Sequence, residues 1–134
     1  MRAIRIVASL LAAIVVTGCA TTRPGEEETP PEILRVVIQN DGVITQQPRI
    51  NLVPEGGGTM PILVGRLTTL GVETLTVRRP DLGGTYRLQA QATGGFVLTS
   101  PIFSTRGNEQ LYWDLRRNTV SVRRLSDGDA TATQ

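Results

Sequence analysis

From Ile33 onward the apolar residues fall at every second position, and that period constrains the fold more than any other feature of the chain. Successive side chains of a strand point to opposite faces, whereas a helix would need a repeat near 3.6. The alternation is clearest over 85–92, where Tyr86, Leu88, Ala90 and Ala92 interleave with Arg87, Gln89 and Gln91. It recurs over 33–39 with Leu34, Val36 and Ile38, and over 49–53 with Ile50 and Leu52 on either side of Asn51. Met60, Ile62 and Val64 are in phase over 60–67, and 72–79 is rich in Val and Thr. A strand is expected over 96–104, another over 109–116 with Leu111, Trp113 and Leu115 facing one way, and a last one over 119–125. Asn40-Asp41-Gly42 supplies residues that tolerate positive φ, and further turn signals stand at Glu55-Gly56-Gly57-Gly58, Asp81-Leu82-Gly83-Gly84, Gly94-Gly95, Gly107-Asn108 and Arg117-Asn118.

About eight short strands with a turn signal every 8–14 residues argue for a sandwich or barrel rather than βαβ units. The expected fold is all-β: a small immunoglobulin-like or transthyretin-like sandwich of about 7–8 antiparallel strands over 32–125, a span of 94 residues. Pro48, Pro61, Pro80 and Pro101 lie at strand starts or ends, where a missing N–H costs least. With Tyr86, Phe96, Phe103, Tyr112 and Trp113 as the whole aromatic set, the core must be mostly aliphatic. Residues 126–134 are polar and are expected to be a disordered tail.

The N-terminus obeys a different rule. Arg2 and Arg5 precede an apolar run over 6–16 that only Ser9 interrupts, too short for the roughly 20 apolar residues a spanning helix needs. A charged start followed by an apolar run of this length predicts a secretory signal helix over 1–18. The run ends in Val16-Thr17-Gly18-Cys19, which resembles the lipobox of bacterial lipoproteins. The resemblance implies a diacylglyceryl group on the Cys19 thiol, cleavage just before it and acylation of the new amine. It also accounts for a single cysteine, which in an exported chain can form no internal disulfide. Two or more acyl chains hold a protein stably at a bilayer, at about 0.8 kcal/mol per buried CH₂. Ala20 follows the cysteine where an Asp would imply inner-membrane retention, so the resemblance implies the outer membrane. The segments LVPEGG, YRLQAQATGG, LTSPIF and LYWDL also resemble a loose group of short bacterial lipoproteins with one sandwich domain, a likeness that carries no functional residues.

Residues 19–31, the cysteine and a run of Thr, Pro, Gly and Glu, read as a flexible, disordered linker. At ~3.3–3.6 Å per residue, such a stalk would reach as far as ~40 Å from the lipid. Loss of Arg2 and Arg5 with the signal leaves 12 basic residues against 12 acidic ones, so the basic character of the whole chain is no warrant for nucleic-acid binding. Every basic residue is arginine, with no lysine and no histidine. Histidine-dependent triads, Schiff-base chemistry and a P-loop lysine are thereby ruled out, and with Cys19 committed to lipid, so are zinc sites built on His or Cys. The Gly56–Gly58 run, without a following Lys-Ser/Thr, is expected to be a hairpin loop.

Among the carboxylates, Asp41 and Asp81 fall in turn sequences, and Asp114 is expected on an exposed strand face. Asp127 and Asp129 lack the spacing and terminal Glu of a calcium loop. No catalytic residue, metal site or cofactor beyond the covalent lipid is expected. Two surfaces are candidates for binding. Tyr112, with Gln110 and Asp114, would form a polar-aromatic patch suited to stacking on a sugar, although an ordinary outer strand face is the plainer reading. Arg116, Arg117, Arg123 and Arg124 flank the last turn and are expected to gather four charges at one end, either to meet anions or to protect an edge hairpin. The expected function is that of a non-enzymatic, membrane-anchored envelope lipoprotein whose sandwich makes protein contacts. The alternative is a module binding peptidoglycan or another glycan.

Overall fold

A computed structural model describes residues 29–68 and 70–126. The expected signal helix, the lipobox residues Val16, Thr17 and Gly18, Cys19, most of the linker, and Asp127 with Asp129 lie outside the described residues.

The alternating segments form nine strands in two sheets, a β-sandwich. In chain order they are β1 (Glu32–Asn40), β2 (Arg49–Pro54), β3 (Ile62–Arg66), β4 (Gly71–Arg79), β5 (Gly84–Gln91), β6 (Val97–Thr99), β7 (Phe103–Thr105), β8 (Glu109–Asp114) and β9 (Thr119–Arg124). The first sheet has the order β4-β1-β8-β9, and the second β3-β2-β5-β6, with β7 pairing further along β5. All pairs are antiparallel except β1 with β8, which are parallel in the register Leu34↔Glu109 to Gln39↔Asp114. Alternation cannot reveal this. A parallel pair needs a long crossover, and here the whole second sheet intervenes between β1 and β8.

The inward faces carry the residues that the period selects. Leu34, Val36 and Ile38 of β1 and Leu111 and Trp113 of β8 meet Ile50, Leu52, Leu88 and Ala90 of the other sheet, and all are fully buried. Each such Val, Leu or Ile contributes about 1.5–3 kcal/mol relative to exposure, with no disulfide to assist. The phase of Met60 is a correction: it is 84% exposed, and β3 begins only at Ile62, after Pro61. Pro61 lacks an N–H to donate, so the alternation that reaches back to Met60 has no ladder behind it.

The single strand expected over 96–104 is also corrected, because it is two. Thr99 pairs with Gln89 and Phe103 with Tyr86, so three residues, Ser100 to Ile102, face only Arg87 and Leu88. The break is a bulge around Pro101, and Ser100 repairs it. Its N–H donates to the Leu88 carbonyl at 2.8 Å. Its Oγ accepts from the Leu88 N–H at 2.8 Å and donates to the Pro101 carbonyl at 2.9 Å. Ser100 and Leu88 are both buried, so Ser100→Ala strands a backbone donor. A loss of about 1–3 kcal/mol is expected in denaturant unfolding, against less than about 0.5 kcal/mol for the exposed control Ser121→Ala.

Candidate functional site

The strand directions give the sandwich two distinct ends. The proximal end is where the chain runs into β1, and it is firmly held. The Glu32 carboxylate accepts from the Leu82 N–H at 2.7 Å, and the Ile33 N–H donates to Asn108 Oδ1 at 3.0 Å. Asn108 reaches this position with φ 52°, a conformation that asparagine tolerates. Beside it, buried Glu109 accepts from Thr105 Oγ1 at 2.7 Å and from the Arg106 N–H at 3.0 Å. A shallow groove of about 680 Å³, bordered by Met60, Arg79, Pro80 and Tyr86, also opens here. Burial pushes the Tyr86 hydroxyl above its ordinary pKa, Glu32 adds to this, and Arg79 opposes it.

The distal end is built from the connections after β1, β3, β5 and β8. Asn40 organises the first of them: its Nδ2 donates to the Ile44 carbonyl at 2.8 Å, and its Oδ1 accepts from the Ile44 N–H at 3.1 Å. The Leu67 N–H donates to the Pro48 carbonyl at 3.0 Å and ties in the third strand's end. Three clefts surround this 41–48 loop. One lies against Pro48, Leu67 and Leu70; one of about 190 Å³ lies between Val43 and Phe96; one of about 200 Å³ lies between Arg49 and Arg66.

The residues singled out from the sequence are distributed unevenly over these surfaces. Tyr112 and Gln110 lie on the outer face of the first sheet, in rows with Val37 and Ser121 and with Arg35 and Arg123. The Tyr112 hydroxyl donates to Gln39 Oε1, and Gln39 Nε2 donates to Asp41 at 2.7 Å, so the phenol is tied to the sheet. Asp114 is not the exposed strand residue expected. It is buried, and its Oδ1 accepts from the Arg116 and Arg117 N–H groups at 2.9 and 3.0 Å, capping the turn into β9. The turn needs an acceptor for those amides, and an aspartate at its first position supplies one.

The four arginines do not gather at one end. Arg116 and Arg117 occupy the distal turn, where Arg116 reaches the Asp41 carbonyl at 3.5 Å. Arg123 and Arg124 pair with Gln110 and Glu109 at the proximal end of β9. The hairpin is a regular ladder, so the length of β9, roughly 20 Å, separates the two pairs. β9 is nevertheless an edge strand, as an edge-protecting role would require. Asp81 turns the chain at the proximal end with φ 57°, far from Asp41 and Asp114. Among the described residues no cluster of three or more His, Cys, Asp or Glu is arranged to hold a metal ion, and no helix is long and apolar enough to cross a membrane.

No family model, curated protein or solved structure matches the chain. The site must be read from its own geometry. Reasoning from sequence missed Arg49 and Arg66, which become neighbours only through strand pairing, and Phe96, which lines the adjoining cleft.

Proposed function

We propose that the protein is a non-enzymatic cell-envelope lipoprotein, anchored through lipid on Cys19 at the outer membrane, that holds its sandwich away from the bilayer to contact another envelope protein. The observation that carries this reading is the polarity of the domain. The chain runs into β1 at the proximal end, beside the groove of about 680 Å³, while the connections after β1, β3, β5 and β8 gather at the distal end around three smaller clefts. A tether attached at the proximal end would point the distal loops away from the membrane, as a presenting module requires. Loops carried on a rigid scaffold are a common place for binding. The lack of histidine and lysine, a fact of the sequence, supports a binding role over a catalytic one.

The experiment is to express the full gene with Cys19→Ser and fractionate the envelope. The parent is expected in the membrane fraction and the variant in the soluble fraction, since one sulfur atom would carry the whole anchor. A variant that sediments with membranes as completely as its parent refutes the anchor.

A further inference from the structure

We propose that the cleft between Arg49 and Arg66 receives a carboxylate from an acidic segment of a partner protein, with an apolar side chain of that segment seated against Phe96. The proposal rests on the reading above and names the chemistry of the partner. Arg49 and Arg66 are direct cross-strand partners, so their side chains rise from the same outer face of the second sheet. Both are exposed, and neither forms an ion pair or side-chain hydrogen bond with a described residue. Like charges directly opposite each other destabilise a sheet. Edge protection accounts for an arginine on β3, which is an edge strand. It does not account for Arg49, because β2 is paired on both sides, with β3 and β5.

The surroundings complete a cradle free of carboxylates. Gln47, Gln91 and Thr93 join the two arginines around the cleft of about 200 Å³, and no carboxylate lines it. Gln91 is the cross-strand partner of Arg49 on the other side. Gln91 Nε2 already donates to Gln89 Oε1 at 2.7 Å, which leaves two guanidinium groups with the Gln47 amide and the Thr93 hydroxyl beside them. That set suits an oxyanion, which accepts hydrogen bonds in several directions. Ala92 and Thr93 are shared with the neighbouring cleft of about 190 Å³, where Phe96 and Val43 stand 47% and 36% exposed. A ligand spanning both clefts must therefore pair an anionic group with an apolar one across the shared Ala92 and Thr93. The site lies at the distal end, opposite the point where the anchor segment joins, which favours a protein segment over the headgroups of the anchoring bilayer.

The test uses the full-length chain and a fluorescein-labelled peptide, acetyl-Gly-Glu-Glu-Phe-Gly, followed by fluorescence anisotropy. The controls are its Gln-Gln isostere, inorganic phosphate and phosphatidylglycerol vesicles. The acidic peptide is expected to bind with an affinity that falls as salt rises, and the isostere at least about tenfold more weakly. Arg49→Gln with Arg66→Gln is expected to abolish the difference between the two peptides. Phe96→Ser is expected to weaken both peptides severalfold while keeping that difference. Thermal unfolding of the double arginine variant must stay level or rise, because a repulsion is removed; a fall makes the arginines structural and overturns the proposal. So does equal binding of the acidic peptide and its isostere, or binding of phosphate or vesicles without the peptide. The anisotropy measurement does not depend on the anchor. Absence of peptide binding beside a Cys19→Ser variant released from membranes would defeat this inference alone, and the reverse pattern would defeat only the anchored reading.

Discussion

Replacing Trp113 by alanine is expected to cost about 3–5 kcal/mol and to lower the melting temperature by roughly 12–40 °C. The indole is fully buried on β8, one of the two central strands of its sheet, among Leu34, Ile38 and Leu111 of the same core. Its removal leaves a cavity that strands fixed on both sides cannot close. The indole also does a second job that an aliphatic side chain could not. Its Nε1–H donates to Asn118 Oδ1 at 3.0 Å, and Asn118 Nδ2 donates onward to the Thr99 carbonyl at 3.0 Å. Asn118 sits in the turn of the first sheet and Thr99 on β6 of the second, so this relay joins the two sheets at the distal end. Trp113→Ala removes volume and relay together, whereas Trp113→Phe keeps much of the volume and is expected to cost about 1–3 kcal/mol. Thermal unfolding followed by far-ultraviolet circular dichroism separates the two variants. A loss below about 1 kcal/mol for alanine would mean that the core closes around the gap, contrary to the close packing expected of a protein interior.

Asn40→Ala is the second large effect, expected at about 2–4 kcal/mol. One buried side chain satisfies both the N–H and the carbonyl of Ile44, so truncation leaves two backbone groups without partners. Asn40→Asp retains the acceptor for the Ile44 N–H but opposes the Ile44 carbonyl, and should do no better than alanine. Because the 41–48 loop borders all three distal clefts, the loss is expected to be local first. Hydrogen exchange at Ile44 and its neighbours should accelerate under conditions where the inward residues of β1 and β8 remain protected. Uniform acceleration through both sheets would show that Asn40 supports the whole domain rather than the loop.

Individual residues separate what local pattern carries from what it does not. Tyr86, Leu88 and Ala90 are inward because a strand has a period of two, and any strand built from that segment would bury them together. Met60 continues such a pattern on paper and is exposed, since a proline ends the ladder just beyond it. Asp114 has the parity of an outer face, but the needs of a turn bury it. Arg116 and Arg124 are close in sequence and distant in space because an antiparallel hairpin carries the chain away before it ends. Arg49 and Arg66 show the converse. They are separated by a whole hairpin loop, and a register shift between Ile50 and Asn51 helps set the alignment that makes them neighbours.

The amino-acid order alone determined the all-β class, most of the inward strand residues and most of the turns, because each follows from period and local backbone preference within a few residues. Tertiary structure alone decided the parallel union of β1 with β8, the opposition of Arg49 and Arg66, and the gathering of four connections around the distal clefts. Those features depend on which strands find each other across long stretches of chain, and that choice is made by burying both sheets at once, a sum over the whole domain that no single segment contains.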